Sequence, residues 1–258
     1  MPQFDHQRAS IHYEIAGAGK PLLLIAGTAS DSASWGPLLP LLAGRQLILI
    51  DNRGSGRTRV EGPLDHVEMA DDCAALIRHL GLGPVDVVGH SLGGYLGLLL
   101  AARAPALVRR LVTLTAGGMD AKSRVLFEDM ARLYFTMVPQ DWFRLFYQWL
   151  FSAPFFANEA VIGAAAEGST NYPHRQSPGD FARQIAAAAR PTDVDLSKVA
   201  CPVLAVAAEL DLLTPMPFVQ ALHQKVAQAE YATVAGAAHS IHWEKPAETA
   251  GLINGFLG

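Results

Sequence analysis

Short apolar runs rich in Leu, Ile and Val alternate along this chain with stretches whose apolar residues recur at helical spacing. Few folds accept that rhythm. The runs at 21–26, 46–50, 85–89 and 202–207 are apolar at most positions, and 110–115 also reads as a strand. A strand that shows one face to water alternates, whereas a strand buried on both faces does not, so these runs read as inner strands of a sheet covered on both sides. Segment 10–16 does alternate and reads as an early antiparallel strand. Between them, 66–80 carries Val67, Met69, Ala70, Cys73, Ala74, Ile77 and Leu80 at helical spacing before Gly81 stops it. Further helices are expected over 92–104, 217–226 and 246–257, and a last strand over 230–234. Strands alternating with helices imply an α/β fold: a mostly parallel, twisted sheet flanked by helices on both faces.

The alternation breaks once. From 119 to 190 there are helix patterns and no convincing strand. Residues 1–118 and 191–258 are therefore expected to form the core, and 119–190 an inserted helical lid. The lid stretch holds more than half of the chain's aromatic residues. Packing of a helical layer rarely needs that density, so Tyr134, Trp142, Phe143 and Phe146 are taken as lining a pocket for an apolar or aromatic acyl or alcohol group. Arg124, Arg132, Arg144 and Arg175 are read as solvated surface groups, with a substrate carboxylate as the alternative partner.

Composition sets outer limits. With 258 residues, half of them hydrophobic and 17% charged, the chain can bury a large core, and disorder is excluded as the default. The net charge of -4, with no Lys/Arg cluster, argues against nucleic acid or an anionic membrane as partner. The longest apolar stretch, around 96–102, falls far short of the ~20 residues a membrane span needs. The start carries no basic region followed by an apolar run, so a cytoplasmic location is expected, and Cys73 and Cys201 read as buried thiols rather than a disulfide. The sequence does not set the oligomeric state.

The chemistry concentrates at Gly89-His90-Ser91-Leu92-Gly93, between an expected strand and an expected helix. In that context G-x-S-x-G describes a sharp turn that exposes a serine hydroxyl, with glycines where side chains would strike neighbouring backbone. The free N–H groups of the helix start point at the serine, so Leu92 N–H can help hold an oxyanion. A second N–H is expected from the loop after the strand ending at Ala26, where Gly27 permits unusual backbone and Thr28 donates. A serine hydroxyl also needs a base. Past the lid, Glu209 and Asp211 lie just beyond the end of a strand, where a sheet presents functional groups. Asp211 is assigned as the acid, with Glu209 as rival. His239, after a loop of small residues, is assigned as the base, with His242 as rival. His90 is expected to aim its side chain elsewhere. Asp51 and Arg53, in Asp51-Asn52-Arg53-Gly54-Ser55-Gly56, are read as loop braces, since a lone Gly-x-Gly is a weak nucleotide signal. No His/Cys/carboxylate set has zinc-like spacing, and neither a metal nor an organic cofactor is implied.

These motifs, in this order and from one end of the chain to the other, resemble the α/β-hydrolase superfamily. The run His239-x-x-x-x-Glu244-x-Pro246 is also similar to the family's approach to its last helix. The nearest likeness is to small carboxylester hydrolases and lactonases, of the 3-oxoadipate enol-lactonase and aclacinomycin methylesterase types. Two positions depart. Most relatives carry His-Gly where this chain has Ala26-Gly27, which removes a side chain that braces the loop. C–C bond hydrolases often carry Gly-Pro-Gly where this chain has Thr28-Ala29-Ser30. Ser91 also argues against the dehalogenases and epoxide hydrolases, which use aspartate at the elbow. The resemblance implies a small-molecule ester or lactone substrate, a Ser-His-Asp triad and an acyl-enzyme. The alternatives are a C–C hydrolase or a cofactor-free oxygenase on the same constellation, or a receptor that retains the triad without using it.

Overall fold

The computed structural model describes residues 2–190 and 192–258. The strands are β1 (Gln3–His6), β2 (Ala9–Ala16), β3 (Lys20–Ile25), β4 (Arg45–Ile50), β5 (Arg59–Val60), β6 (Val85–His90), β7 (Val108–Leu114), β8 (Val203–Ala208) and β9 (Ala229–Val234). The α-helices are α1 (His66–His79), α2 (Leu92–Arg103), α3 (Ala121–Tyr134), α4 (Pro139–Leu150), α5 (Glu159–Asn171), α6 (Pro178–Ala188), α7 (Met216–His223), α8 (Ile241–Glu244) and α9 (Pro246–Leu257). The sheet runs β1-β2-β4-β3-β6-β7-β8-β9, with β5 added to β2. Pairing is antiparallel up to the β2–β4 contact and parallel from β4 through β9.

The continuous apolar runs follow from burial on both faces. In β3, Leu23 and Ile25 join the cluster under α1 and α2, while Leu22 and Leu24 join Trp35, Leu38 and the α9 residues Ile253 and Leu257 on the opposite face. All six residues of β6 and of β8 are buried. Helix α1 starts where the Asp65 carboxylate accepts the N–H groups of Val67 and Glu68, at 2.7 and 3.2 Å. Three short pieces have no clear counterpart in the sequence pattern: β1, the two-residue β5 and the four-residue α8.

Residues 119–190 hold four α-helices, α3 to α6, a 3-10 turn at Ala153–Ala157, and no strand. They enclose an aromatic cluster of their own, built from Tyr134, Trp142, Phe143, Phe146, Tyr147 and Phe181. Polar contacts tie these helices to the sheet end. Gln176 Nε2 donates to Gly54 O at 2.6 Å, Gln184 Nε2 to Arg53 O at 3.0 Å, and Ser123 Oγ to Leu213 O at 3.0 Å. The segment thus lies over the carboxyl ends of the parallel strands, where an open α/β sheet offers its crevice. Asp51 and Arg53 brace the loop there. Asp51 accepts the N–H groups of Ser32 and Arg57 at 2.9 and 2.8 Å, and fully buried Arg53 grips Asp72 through Nε and Nη2 at 2.6 and 2.8 Å.

Candidate active site

Ser91 sits at the junction of β6 and α2 with φ 52° and ψ −117°, a conformation non-glycine residues avoid. The surroundings enforce it. Ser91 N donates to Leu114 O at 2.8 Å, and the turn brings the start of α2 against β3. A Cβ at Gly93 would lie 1.9 Å from Ile25 O, and one at Gly89 would lie 2.2 Å from Gly93 O. Both glycines are therefore required by close backbone approach, as the elbow reading expects.

Asp211, after β8, and His239, after β9, meet: His239 Nδ1 lies 2.8 Å from Asp211 Oδ2. Both residues are buried. The other carboxylate oxygen, Oδ1, accepts the N–H groups of Leu213 and Thr214 at 2.8 and 2.9 Å, and the Thr214 hydroxyl reaches Oδ2 at 2.7 Å. Burial pushes the Asp211 carboxyl up, but adjacent His239 and the Thr214 donors outweigh it and hold the group below the usual carboxylate range. Neither rival makes the Asp211–His239 contact, although His242 lines the same cavity as Ser91. Glu209 accepts Gly236 N–H at 2.8 Å, bracing the loop that leads to His239. His242, in α8, packs its ring against Trp35 and His90, and burial with His239 nearby lowers it to about 3.

Ser91 and His239 line one cavity of about 560 Å³ together with Thr28. Tyr134, Trp142, Phe143 and Phe146 also line it, so all four aromatic residues singled out from sequence border the same space as the serine and histidine. Leu92 opens α2 beside Ser91, and its side chain packs against the core, so its N–H is the group that can serve the site.

Several residues around the site carried no role in the sequence reading. His90 was expected to point away, yet it lines the cavity, and its Nε2 lies 3.0 Å from His239 O. Thr115 Oγ1 donates to the same carbonyl at 3.0 Å, so the backbone of the histidine is pinned twice. Burial, with His242 and His239 close by, keeps the His90 ring far below its usual range and therefore neutral. Glu244 reaches under the loop, where Oε1 accepts Ala238 N–H at 2.9 Å and Oε2 accepts Ser152 N–H at 3.1 Å. Asp31 lies three residues beyond Thr28, and its Oδ2 accepts the Tyr172 hydroxyl at 2.8 Å from the helical segment. Burial raises the Asp31 carboxyl above its ordinary value. Its place in the loop after β3 was the available signal. His90 and Thr115, at two strand ends, had only their positions. Among the described residues, no three His, Cys, Asp or Glu side chains gather as a metal-binding group, and no helix is long and apolar enough to cross a membrane.

The family model for the alpha/beta hydrolase fold matches residues 20–246. The chain belongs to the alpha/beta hydrolase family. A relative from Azorhizobium caulinodans, named "Putative carbamate hydrolase RutD", is 30% identical over 100% of this chain and 98% of its own length. Among solved structures, the alpha/beta hydrolase superposes with TM-score 0.85 and 25% identity on the "Putative non-heme bromoperoxidase BpoC" of Mycobacterium tuberculosis H37Rv, covering 96% of this chain and 95% of the other. It also superposes with TM-score 0.81 and 25% identity on Est816, described as an N-acyl homoserine lactone degrading enzyme, covering 99% of this chain and 100% of the other.

Proposed function

We propose that this alpha/beta hydrolase is a serine hydrolase that cleaves a small-molecule carboxylic ester or lactone through an acyl-enzyme. The observation that carries the reading is the 2.8 Å contact between His239 Nδ1 and Asp211 Oδ2 at the wall of the cavity that Ser91 also lines. A carboxylate at that distance takes the Nδ1 proton, which leaves Nε2 with its lone pair as the base. His239 then removes the Ser91 proton as Oγ attacks the carbonyl carbon. The N–H groups of Thr28 and Leu92 hold the oxyanion, as the start of α2 and the loop after β3 allow. His239 returns the proton to the leaving alcohol, and a water that it activates releases the acid from Ser91. The cavity is of ligand size, and its mainly apolar wall, rich in aromatic rings, favours an apolar acyl or alcohol group. The helices of 119–190 act as its lid. Carbamates are the second substrate class, favoured by the name of the relative that matches over the whole chain. Their carbonyl would meet the same nucleophile.

A screen of short aryl esters, lactones and carbamates against wild type and Ser91→Ala tests the reading. The variant should lose several orders of magnitude in turnover, because nucleophile and base act as a unit, while its circular dichroism stays native. Ester turnover near the wild-type level in Ser91→Ala would mean that another group is the nucleophile.

A further inference from the structure

One end of the cavity differs from its aromatic wall. There the chain between α5 and α6 brings His174, Arg175 and Gln176 to the lining. The same three residues, with Gly56, also border a recess of about 200 Å³ whose other walls include Ser55, Thr58, Arg59 and Asp180, the last already paired with Arg183. Arg175 is half-buried at this junction, and its Nη1 donates to Thr170 O at 2.9 Å. Among the described residues it has no carboxylate within ion-pair distance; Arg124 and Arg190 of the helical segment are likewise unpaired, whereas Arg132 pairs with Asp129, Arg144 with Glu159 and Arg183 with Asp180, and of the three unpaired arginines Arg175 lines the cavity. A guanidinium is always charged and carries five donors in a planar fork. Holding one partly out of water beside a cavity, with a single backbone carbonyl as its hydrogen-bond partner, is costly unless a further acceptor arrives. The carboxylate that also lines the cavity, Asp31, is already engaged. It accepts Ala33 N–H through Oδ1 at 3.0 Å and the Tyr172 hydroxyl through Oδ2 at 2.8 Å.

We propose that Arg175 is a specificity-determining residue that receives a substrate carboxylate remote from the scissile carbonyl. The substrate is then an ester or lactone with an anionic tail, its apolar middle against the rings of α4 and its carboxylate at the polar end. A carboxylate matches the guanidinium fork through two parallel N–H···O bonds, which a neutral group of the same size cannot reproduce. The inference rests on the hydrolase reading for its chemistry, but the binding of a carboxylate can be measured without turnover.

Two measurements test it. Calorimetry compares 4-phenylbutyrate with 4-phenylbutanol, and kinetics compares mono-(4-nitrophenyl) adipate with 4-nitrophenyl hexanoate. Wild type should bind the acid at least about tenfold tighter than the alcohol and prefer the half-ester in kcat/KM by a similar factor, expressed mainly in KM. Arg175→Gln should bring both ratios close to one, and Arg175→Lys should restore part of them as a point charge. Arg124→Gln, an exposed residue on α3, should keep the wild-type ratios. Wild type binding the acid no tighter than the alcohol overturns the proposal, and so does an Arg175→Gln binding ratio equal to wild type. The binding ratio decides the role of Arg175 whether or not either ester is turned over, and the Ser91→Ala screen decides the hydrolase reading separately.

Discussion

Asp211 and Glu209 stand two residues apart in one loop, yet they face different partners. Asp211 contacts His239 Nδ1 at 2.8 Å, whereas Glu209 accepts a backbone N–H from Gly236. Asp211→Asn should therefore depress turnover strongly, with the fold retained. An amide can donate to Nδ1, which favours the wrong tautomer and offers no charge to the imidazolium formed during attack. The comparable change in a serine protease costs on the order of 10⁴-fold. Glu209→Gln should stay within a few-fold of wild type, since a neutral acceptor can still take the Gly236 N–H. If kinetics gave the reverse ranking, the acid would be Glu209. The residues of this site were legible where chemistry restricts residue type. A serine between two glycines at a strand-to-helix turn admits few readings, and a carboxylate past a strand end followed by a histidine admits few more. His90, Thr115 and Asp31 were not legible because they act through contacts with residues distant in sequence. The His90–His239 contact spans 149 positions, and the Tyr172–Asp31 contact spans 141.

At the scale of elements, the inner strands and the long helices were visible because burial on two faces and helical spacing leave separate marks on a sequence. Helix α9 spans Pro246–Leu257 as expected, and β2 differs from expectation by one residue, beginning at Ala9. Helix α8 carried no such mark. At four residues it is too short for periodicity, and it exists through the contacts at its two ends. Glu244 is the centre of those contacts. Its carboxylate holds Ala238 N–H, beside His239, and Ser152 N–H, just past α4, while Ser240 N donates to Leu150 O at 2.9 Å. The histidine loop and the end of α4 are thus joined through one side chain. Glu244→Ala removes a charged acceptor from two backbone donors, a loss of about 2–3 kcal/mol. In a chain of this size that corresponds to a fall in Tm of roughly 5–10 °C. Turnover should fall with it, because the loop that carries His239 loses its brace. A melting temperature within a degree of wild type would show that the two elements are held by their other contacts.

Taken whole, the molecule buries an unusual set of neutral histidines. Burial lowers His66 to about 4 and His242 to about 3, and it also lowers His90 and His223. They sit in different parts of the structure: His66 against Tyr95 in the α1–α2 layer, His223 between Thr113 and Val219, and His90 with His242 at the cavity lining. An unfolded chain protonates each of them near 6.5. Between that pH and the lower folded values, the unfolded state holds protons that the folded state refuses, so stability falls as pH falls. The contribution is fully present above about pH 6.5 and is lost progressively below it, with a slope of up to about 1.4 kcal/mol per pH unit for each histidine. Asp211, held below its ordinary value of 3.8, adds to the loss only in stronger acid. Urea unfolding between pH 8 and pH 5 should therefore show a plateau followed by a steep decline. His66→Phe isolates one contributor outside the cavity. His66 is buried, and its Nε2 has no hydrogen-bond partner, so an apolar ring of similar shape forfeits no bond there. The variant should lose one histidine's share of the slope and gain on wild type as the buffer becomes more acidic. A stability profile that is flat down to pH 5, or a slope unchanged in His66→Phe, would show that these histidines take up protons in the folded state.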